Sequence, residues 1–319
     1  MVKIGSLTIS PSLVNASCAW ASDLSQLQTL FDSPYTGAVT TRTSTVNGFA
    51  EDESHTVAFA SSSISSLNSY GYSPHKLAQY LVWIEVILSA APIPTAKPFI
   101  ISITASDADS LRVSVDAIQT LRAKFAQIGV EFNTSCPNIR GTTPPGYAPE
   151  SLAPLLGVLA AAWRADESLT IGLKLPPYVH ASQCVSLVNT LRTLSAAGRS
   201  PFAYIACTNT LGNSLLFAEQ VTDPANGPEA GSAFAVPPAL GGLAGDALHA
   251  LALGNVYSFA RLLEAETESG LRNVAIVGIG GVTSAEAAAR MRRAGAAVVG
   301  CATLFGQEGV HAFKILSGE

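Results

Sequence analysis

Short apolar segments recur along the chain and alternate with longer segments whose apolar residues repeat at helical spacing. Each apolar segment has the length of a strand and ends in small or polar residues. Eight candidate strands lie near residues 13–17, 37–41, 98–103, 128–134, 170–175, 202–207, 273–278 and 296–300. Candidate helices between them include residues 108–125, 151–165, 181–196, 252–269 and 284–294. Thr283 and Ser284 are candidate N-caps of the last helix.

This alternation predicts one α/β domain over residues 1–319, folded as a closed parallel barrel of the TIM (β/α)8 type. The alternative is an open doubly wound sheet, which is weakened because no GxGxxG motif follows the first strand. The first ten residues, MVKIGSLTIS, predict a short N-terminal β-hairpin and lack the apolar core of a signal peptide. In a barrel of this type, functional residues follow the C-terminal ends of the strands.

Composition narrows the classes of partner. Hydrophobic residues make up 48% of the chain and charged residues 13%, so a large core is easily formed. The net charge of −5 and the absence of basic runs argue against a nucleic-acid surface, and no apolar run is long enough to span a membrane. The five cysteines are scattered, which predicts free thiols in a reducing compartment such as the cytoplasm and gives no site for an iron–sulfur cluster or other metal.

Residues 128–141 (IGVEFNTSCPNIRG) combine a predicted buried strand with a polar loop. Asn133 and Asn138 flank the thiol of Cys136, and each carboxamide offers a donor and an acceptor at fixed geometry. A thiol of suitable acidity can remove a proton from carbon, so this loop suits a flat polar ring beside a base. The alternative is a buried structural cysteine between two turn-forming asparagines.

Other strand ends add a charge and a candidate phosphate site. Lys174 is the only charge in an apolar strand, and its burial requires either an anionic ligand or a structural ion pair. The small residues at 278–283 and 300–303 follow the last two strands, where barrels of this type often bind phosphate. Residues 241–245 (GGLAG) predict a third glycine-rich loop or a flexible connector. Ordinary tight turns remain the alternative for each glycine pair.

Four segments carry a family resemblance, namely residues 68–71 (NSYG), 133–138 (NTSCPN), 172–178 (GLKLPPY) and 208–213 (TNTLGN). They are similar to motifs of the dihydroorotate dehydrogenases, nearest to the soluble class that carries FMN alone and uses a cysteine base. The resemblance extends from Asn15 to Phe305 and implies an FMN-binding TIM barrel.

The resemblance also implies residue roles. Cys136 would be the base, and Lys174 would stabilise the reduced flavin. The residues implied in substrate binding are Asn68, Asn133, Asn138, Asn209, Thr210 and Arg42. The residues implied in FMN binding are Ala16, Ser17, Thr41, Arg42, Asn133, Lys174, Gly245, Gly280, Gly281, Gly300 and Cys301.

The implied reaction is the oxidation of (S)-dihydroorotate to orotate in de novo pyrimidine biosynthesis, with hydride transfer to FMN. Fumarate or another soluble compound would be the electron acceptor, and the resemblance implies a homodimer. The quinone-linked class is disfavoured because no N-terminal membrane-binding helix is seen. The NAD-linked class is disfavoured because the chain has no iron–sulfur cluster site.

The chain departs from this class around the implied substrate. Arg42 stands where the class has lysine, residues 47–52 replace a G-N-P-x-P-R segment, and residues 72–74 and 139–146 also differ. An alternative is therefore a divergent FMN-dependent oxidoreductase that acts on a different cyclic substrate. Two further alternatives are a non-catalytic binding protein on the same barrel and a flavin-free aldolase or isomerase that uses Lys174.

Overall fold

The computed structural model describes residues 1–92, 97–136, 138–139, 144–222, 233–268 and 270–319. Its strands are β1 (Val2–Ile4), β2 (Leu7–Ile9), β3 (Leu13–Asn15), β4 (Val39–Thr40), β5 (Val57–Phe59), β6 (Ser65–Asn68), β7 (Phe99–Ile103), β8 (Ile128–Asn133), β9 (Thr170–Leu175), β10 (Tyr204–Cys207), β11 (Leu211–Leu215), β12 (Leu240–Gly245), β13 (Ala275–Ile279) and β14 (Val298–Cys301). Its helices are α1 (Leu24–Asp32), α2 (Leu77–Ala90), α3 (Ala108–Arg122), α4 (Ala153–Ala165), α5 (Ala181–Leu194), α6 (Asp246–Glu264), α7 (Ala285–Ala294), α8 (Thr303–Glu308) and α9 (His311–Ser317).

Eight parallel strands of the described residues form a barrel in the order β3-β4-β7-β8-β9-β10-β13-β14. A parallel bridge between Val14 and Ala38 joins β3 to the residue before β4 and closes the circle. Every residue of β8 and β9 is buried, including Glu131 and Lys174, and most positions in both strands are apolar, as expected for strands covered on both faces. The predicted TIM barrel is confirmed, and each of the eight predicted segments overlaps one of its strands, although β13 and β14 each end one residue later than predicted.

The predicted helices are present with shifted ends. Helix α6 starts at Asp246, six residues before the predicted residue 252, and ends at Glu264 rather than at residue 269, which lies outside the described residues. Ser284 is the N-cap of α7, since its side chain accepts a hydrogen bond from the backbone N–H of Ala287. None of the described helices combines the length and the hydrophobicity that crossing a membrane requires.

The predicted N-terminal hairpin is confirmed, and it packs against the N-terminal end of the barrel. Strands β1 and β2 pair antiparallel, with Ile4, Leu7 and Ile9 buried. The backbone N–H of Ser6 donates to Thr170 Oγ1 at 2.9 Å, at the first residue of β9. Because the hairpin covers this end, the opposite end of the barrel is the one open to a ligand.

A second sheet lies beside the C-terminal end of the barrel, in the antiparallel order β11-β12-β6-β5. The prediction of a glycine-rich loop at residues 241–245 is wrong, because these residues form β12 and pair with β6. A Cβ atom at Gly241 would lie 2.6 Å from the carbonyl oxygen of Asn68. The glycine therefore permits close approach of two strands rather than a turn.

Arg122, at the end of α3, anchors the start of β8. Its guanidinium donates to the carbonyl oxygen of Ile128 at 2.9 Å, to Asp166 Oδ2 at 2.6 Å and to the carbonyl oxygen of Ser168 at 2.9 Å. The side chain is 5% exposed, so this ion pair is largely shielded from solvent. This network fixes the N-terminal end of β8, and the loop that contains Cys136 follows the C-terminal end of the same strand.

Candidate active site

A cavity opens where the C-terminal ends of the barrel strands meet β6 and β12. It encloses about 1020 Å³, including its opening to solvent. Fourteen of the sixteen predicted site residues line it, namely Ala16, Ser17, Arg42, Asn68, Asn133, Cys136, Asn138, Lys174, Asn209, Thr210, Gly245, Gly280, Gly281 and Cys301. The barrel thus brings together side chains from distant parts of the sequence, as strand-end residues of this fold do.

The other two predicted residues, Thr41 and Gly300, are not part of the lining. Thr41 is fully buried, and its Oγ1 accepts a hydrogen bond from the backbone N–H of Ser102 at 3.0 Å. Gly300 lies within β14, opposite Val14 of β3. Pro137 and residues 140–143 of the loop after Cys136 lie outside the described residues.

Cys136 lies three residues after the end of β8, and its partly buried thiol faces the cavity. The sulfur contacts the carbonyl oxygen of Tyr70 at 3.8 Å. Burial raises the pKa of the Cys136 thiol, and the backbone of Asn138 together with the charges of Lys174 and Arg42 opposes that rise. The thiol is therefore protonated at neutral pH in this arrangement, and its ability to act as a base increases with pH.

Asn138 joins the cysteine loop to the strand that ends at Asn68. Its Nδ2 donates to the carbonyl oxygen of Asn68 at 3.1 Å, to Asn68 Oδ1 at 3.0 Å and to the carbonyl oxygen of Tyr70 at 2.8 Å. Asn68 Nδ2 in turn donates to the carbonyl oxygen of Gly242 at 3.1 Å. These bonds fix the orientation of both carboxamides, so the second sheet positions the cysteine loop.

Asn133 and Asn209 form a second amide pair deeper in the cavity. Asn133 Oδ1 accepts hydrogen bonds from Asn209 Nδ2 and from the backbone N–H of Ser135, each at 3.1 Å. Asn133 Nδ2 donates to Thr43 Oγ1 at 3.0 Å. With their orientations set, these amides can present a fixed pattern of donors and acceptors to a polar ring.

Lys174 projects from β9 into the barrel interior and is 5% exposed. Its Nζ donates to the carbonyl oxygen of Ser17 at 3.2 Å, and it forms no ion pair with a carboxylate of the described residues. Glu131 is also buried there, and burial raises the pKa of its carboxyl group despite the opposing effects of Lys174 and Tyr204. Lys174 is therefore a buried cationic side chain without a carboxylate hydrogen-bond partner among the described residues, and an anionic group of a ligand would offset the cost of burying it.

A glycine cradle, formed by Gly245, Gly280 and Gly281, lies at the far side of the cavity. Their φ angles are +79°, +126° and +62°, a region that favours glycine. Among the described residues, the backbone N–H groups of Gly281 and Val282 have no acceptor. Free N–H groups beside small residues can bind phosphate oxygens closely.

His249 and Asp246, which follow Gly245 on α6, hold the cradle in place. Arg290 Nε donates to His249 Nε2 at 3.2 Å, so the proton lies on Nδ1, which donates to the carbonyl oxygen of Gly280 at 2.9 Å. Asp246 Oδ1 accepts a hydrogen bond from Thr283 Oγ1 at 2.6 Å. The hydrogen bonds of both side chains go to other groups of the protein, which indicates a structural role for His249 and Asp246.

Sequence reasoning missed several residues of the site. Tyr70 and Tyr72 line the cavity, and their position just after Asn68 was the available signal. Thr208 also lines it, and its buried Oγ1 has no hydrogen-bond partner among the described residues. Glu51 binds Arg42 at 2.6 Å from a loop nine residues away, for which the sequence offers no signal.

The chain resembles known proteins in sequence along most of its length. The family model described as dihydroorotate dehydrogenase matches residues 2–319. A protein of Streptococcus equi subsp. equi named putative dihydroorotate dehydrogenase A (fumarate) is 27% identical, covering 99% of this chain and 90% of its own length. A protein of the same name from Streptococcus uberis is 26% identical, covering 89% and 80%.

The fold is also found among solved structures. The crystal structure of DHODH from Eimeria tenella in complex with ferulenol has a TM-score of 0.74 and 15% sequence identity. The match covers 98% of this chain and 81% of that one, which supports the fold rather than any particular chemistry. The match of the family model along nearly the whole length decides the assignment. The chain therefore belongs to the dihydroorotate dehydrogenase family of oxidoreductases.

Proposed function

We propose that this chain oxidises (S)-dihydroorotate to orotate in an FMN-dependent reaction, with Cys136 as the base. The observation that carries the proposal is one cavity that holds the Cys136 thiol, four asparagine carboxamides and the buried Lys174. A dihydropyrimidine ring needs paired donors and acceptors, a base beside one carbon and a hydride acceptor beside the next. The first two are side chains of this protein.

The residues of the cavity fit FMN. The glycine cradle offers free backbone N–H groups of the kind that bind a phosphate, and Thr208 Oγ1 is a buried polar atom that lacks a partner among the described residues. Ala16 and Ser17 present small side chains to the same cavity, which leaves room for a planar ring. Lys174 provides a buried positive charge that would favour an anionic reduced ring. Bound FMN would supply the acceptor for the hydride.

The side chains of the protein would orient the substrate and remove the proton. The four carboxamides would orient the substrate ring through hydrogen bonds. Cys136 Sγ would take the proton from the carbon next to the one that loses the hydride. The burial of Asn133, Asn209 and Lys174 strengthens the polar interactions that these side chains make.

The curated relatives' names, which specify fumarate, support a soluble electron acceptor for this chain. We extend the proposal to a place in pyrimidine biosynthesis, to the cytoplasm and to a homodimer, all of which rest on the resemblance. A second candidate, oxidation of a different cyclic substrate, is favoured by the Arg42–Glu51 ion pair and by Tyr70 and Tyr72 in the lining.

Turnover assays over a substrate panel test the proposal. Purified holoprotein is given dihydroorotate, dihydrouracil or dihydrothymine with fumarate as the acceptor, and holoprotein reduced with dithionite is given a cyclic enone. Orotate formation with dihydroorotate as the best substrate supports the proposal. Efficient turnover of another ring, with no orotate formed, would move the assignment to the second candidate.

Replacing Gly281 with alanine is expected to weaken FMN binding at least tenfold, about 1.4 kcal/mol. The φ of Gly281 is +62°, and a Cβ atom there would lie 2.5 Å from His249 Cβ and 2.8 Å from the carbonyl oxygen of Gly245. The cradle would have to shift, which displaces its N–H groups. Retention of flavin during gel filtration and the Kd from flavin fluorescence measure the effect.

Gly309→Ala is the matched control for this change. Gly309 has a similar φ of +58°, but a Cβ atom there meets nothing within 4 Å. Both variants carry the backbone strain of about 1–3 kcal/mol, so both should melt at a lower temperature. Equal flavin binding by the two variants would contradict a phosphate site at the cradle.

A further inference from the structure

One ion pair at the cavity has no role in the proposed reaction. Arg42 NH2 lies 2.6 Å from Glu51 Oε1, and Arg42 NH1 lies 3.4 Å from Glu51 Oε2. The two parallel contacts give the fork-to-fork arrangement of a guanidinium and a carboxylate. The Arg42 side chain is 8% exposed and that of Glu51 is 23% exposed, so the pair is largely shielded from solvent.

The other contacts of Arg42 place its guanidinium near the segment that contacts Cys136. It lies over the Tyr70 ring, 5.1 Å from the ring centre, and donates to the carbonyl oxygen of Gly71 at 3.4 Å. The neighbouring carbonyl, that of Tyr70, contacts Cys136 Sγ. Adjacent residues of one segment therefore contact both the thiol and the guanidinium, which places the two groups close together.

Arg42 and Lys174 are the cationic side chains of the described cavity lining. Lys174 has no carboxylate partner among the described residues, whereas Arg42 is neutralised by Glu51, which does not itself line the described cavity. If a ligand places an anionic group beside Cys136, the nearby arginine, Arg42, is already paired with the carboxylate of Glu51.

We propose that Glu51 is a specificity-determining residue whose carboxylate takes the place on Arg42 that a substrate carboxylate requires. This inference rests on the proposed function, since dihydroorotate bears a carboxylate on the ring carbon that loses the hydride. The ligand either displaces Glu51 or binds beside it. In both cases Glu51 weakens the binding of carboxylate-bearing rings and leaves uncharged rings unaffected.

Glu51→Gln tests this inference because it keeps the shape and removes the charge. The Kd of orotate for the holoprotein is expected to fall about tenfold, since like-charge repulsion and competition for Arg42 are both removed. The Kd of uracil, which has the same ring and no carboxylate, should change less than about twofold. Calorimetric titration gives both constants, and the KM of dihydroorotate should follow that of orotate.

Glu53→Gln is the control for net charge and loop chemistry. Glu53 is exposed and lies two residues away in the same loop, so the substitution changes the total charge equally and leaves the Arg42–Glu51 pair intact. Orotate binding by this variant should equal that of the wild type. Equal tightening in both variants would overturn the inference in favour of a general charge effect.

If Glu51 only holds Arg42 in position, the change in the Kd of orotate is expected to have the opposite sign. Glu51→Gln would then weaken orotate binding, or leave it unchanged, and the inference would be overturned. The failure of the proposed function is a separate result, because it appears as wild-type protein that forms no orotate. Tightening of orotate binding in Glu51→Gln supports the inference in that case as well, since it reports on charge at the cavity and not on turnover.

Discussion

Replacing Cys136 with serine is expected to slow the oxidation of dihydroorotate at pH 7 by about 10²–10⁴-fold. A hydroxyl group is a far weaker acid than a thiol, so its basic form is almost absent. The binding of orotate should change little, because the carboxamides that orient the ring are untouched. Single-turnover kinetics with dihydroorotate measure the rate, and titration with orotate measures the binding.

Cys184→Ser is the control for this substitution. Cys184 is buried in α5, away from the cavity, so the same loss of a thiol there affects stability and not the rate per folded molecule. A Cys136→Ser variant that retains the wild-type rate would show that another group removes the proton.

The pH dependence of the wild-type rate is a second test of Cys136 as the base. Burial raises the pKa of Cys136, so the thiolate fraction, and with it the rate, should increase as the pH rises. The inflection is expected at alkaline pH, above the pKa of a free thiol. A rate that is level across this range in the wild type would contradict the assignment of the thiol as the base in this arrangement.

Replacing Lys174 with methionine is expected to lower kcat/KM by about 10²–10³-fold without lowering the stability of the flavin-free protein. Its Nζ makes one hydrogen bond, to the carbonyl oxygen of Ser17, and no ion pair among the described residues. Removing a buried charge relieves a desolvation cost in the free protein, which offsets the loss of its attraction to Glu131. Thermal melts of the flavin-free protein and steady-state kinetics of the holoprotein separate the two effects.

Arg122→Met is the matched control, because it also removes a buried cation. Arg122 is paired with Asp166 and binds two carbonyl groups, so its loss should cost about 3 kcal/mol of unfolding free energy. The turnover of the molecules that remain folded should be unchanged. If Lys174→Met behaved in the same way as Arg122→Met, the lysine would have a structural role.

The barrel could be predicted from sequence because its strands are buried on both faces. Six consecutive buried residues in β8 and again in β9 produce apolar runs that local inspection can find. The polar residues that follow those runs then locate the cavity, since the closed parallel barrel fixes where strand ends meet.

The second sheet could not be predicted in the same way. Strand β6 reads SSLN and strand β12 reads LGGLAG, and neither has the alternation of a half-buried strand. Their pairing joins residues such as Asn68 and Gly242, which are far apart in sequence. Serine and glycine are selected here by close approach between backbones and not by strand propensity.

The Arg42–Glu51 pair was beyond sequence reasoning for a similar reason. The substitution of arginine for the lysine of the related class was visible, and it indicated a change near the substrate. Its consequence depends on where an irregular loop places one carboxylate, and no periodic pattern encodes that position. Site residues on strand ends were therefore predicted, whereas the charge that modifies one of them was not.

The most direct test of the account is an anaerobic visible spectrum of the purified protein, recorded before and after addition of dihydroorotate. The account predicts a bound flavin whose visible absorption band is lost when dihydroorotate is added, with orotate recovered in equal amount. A flavin band that persists in the presence of dihydroorotate would contradict the proposed substrate. Protein that binds no FMN when reconstituted would contradict the account as a whole.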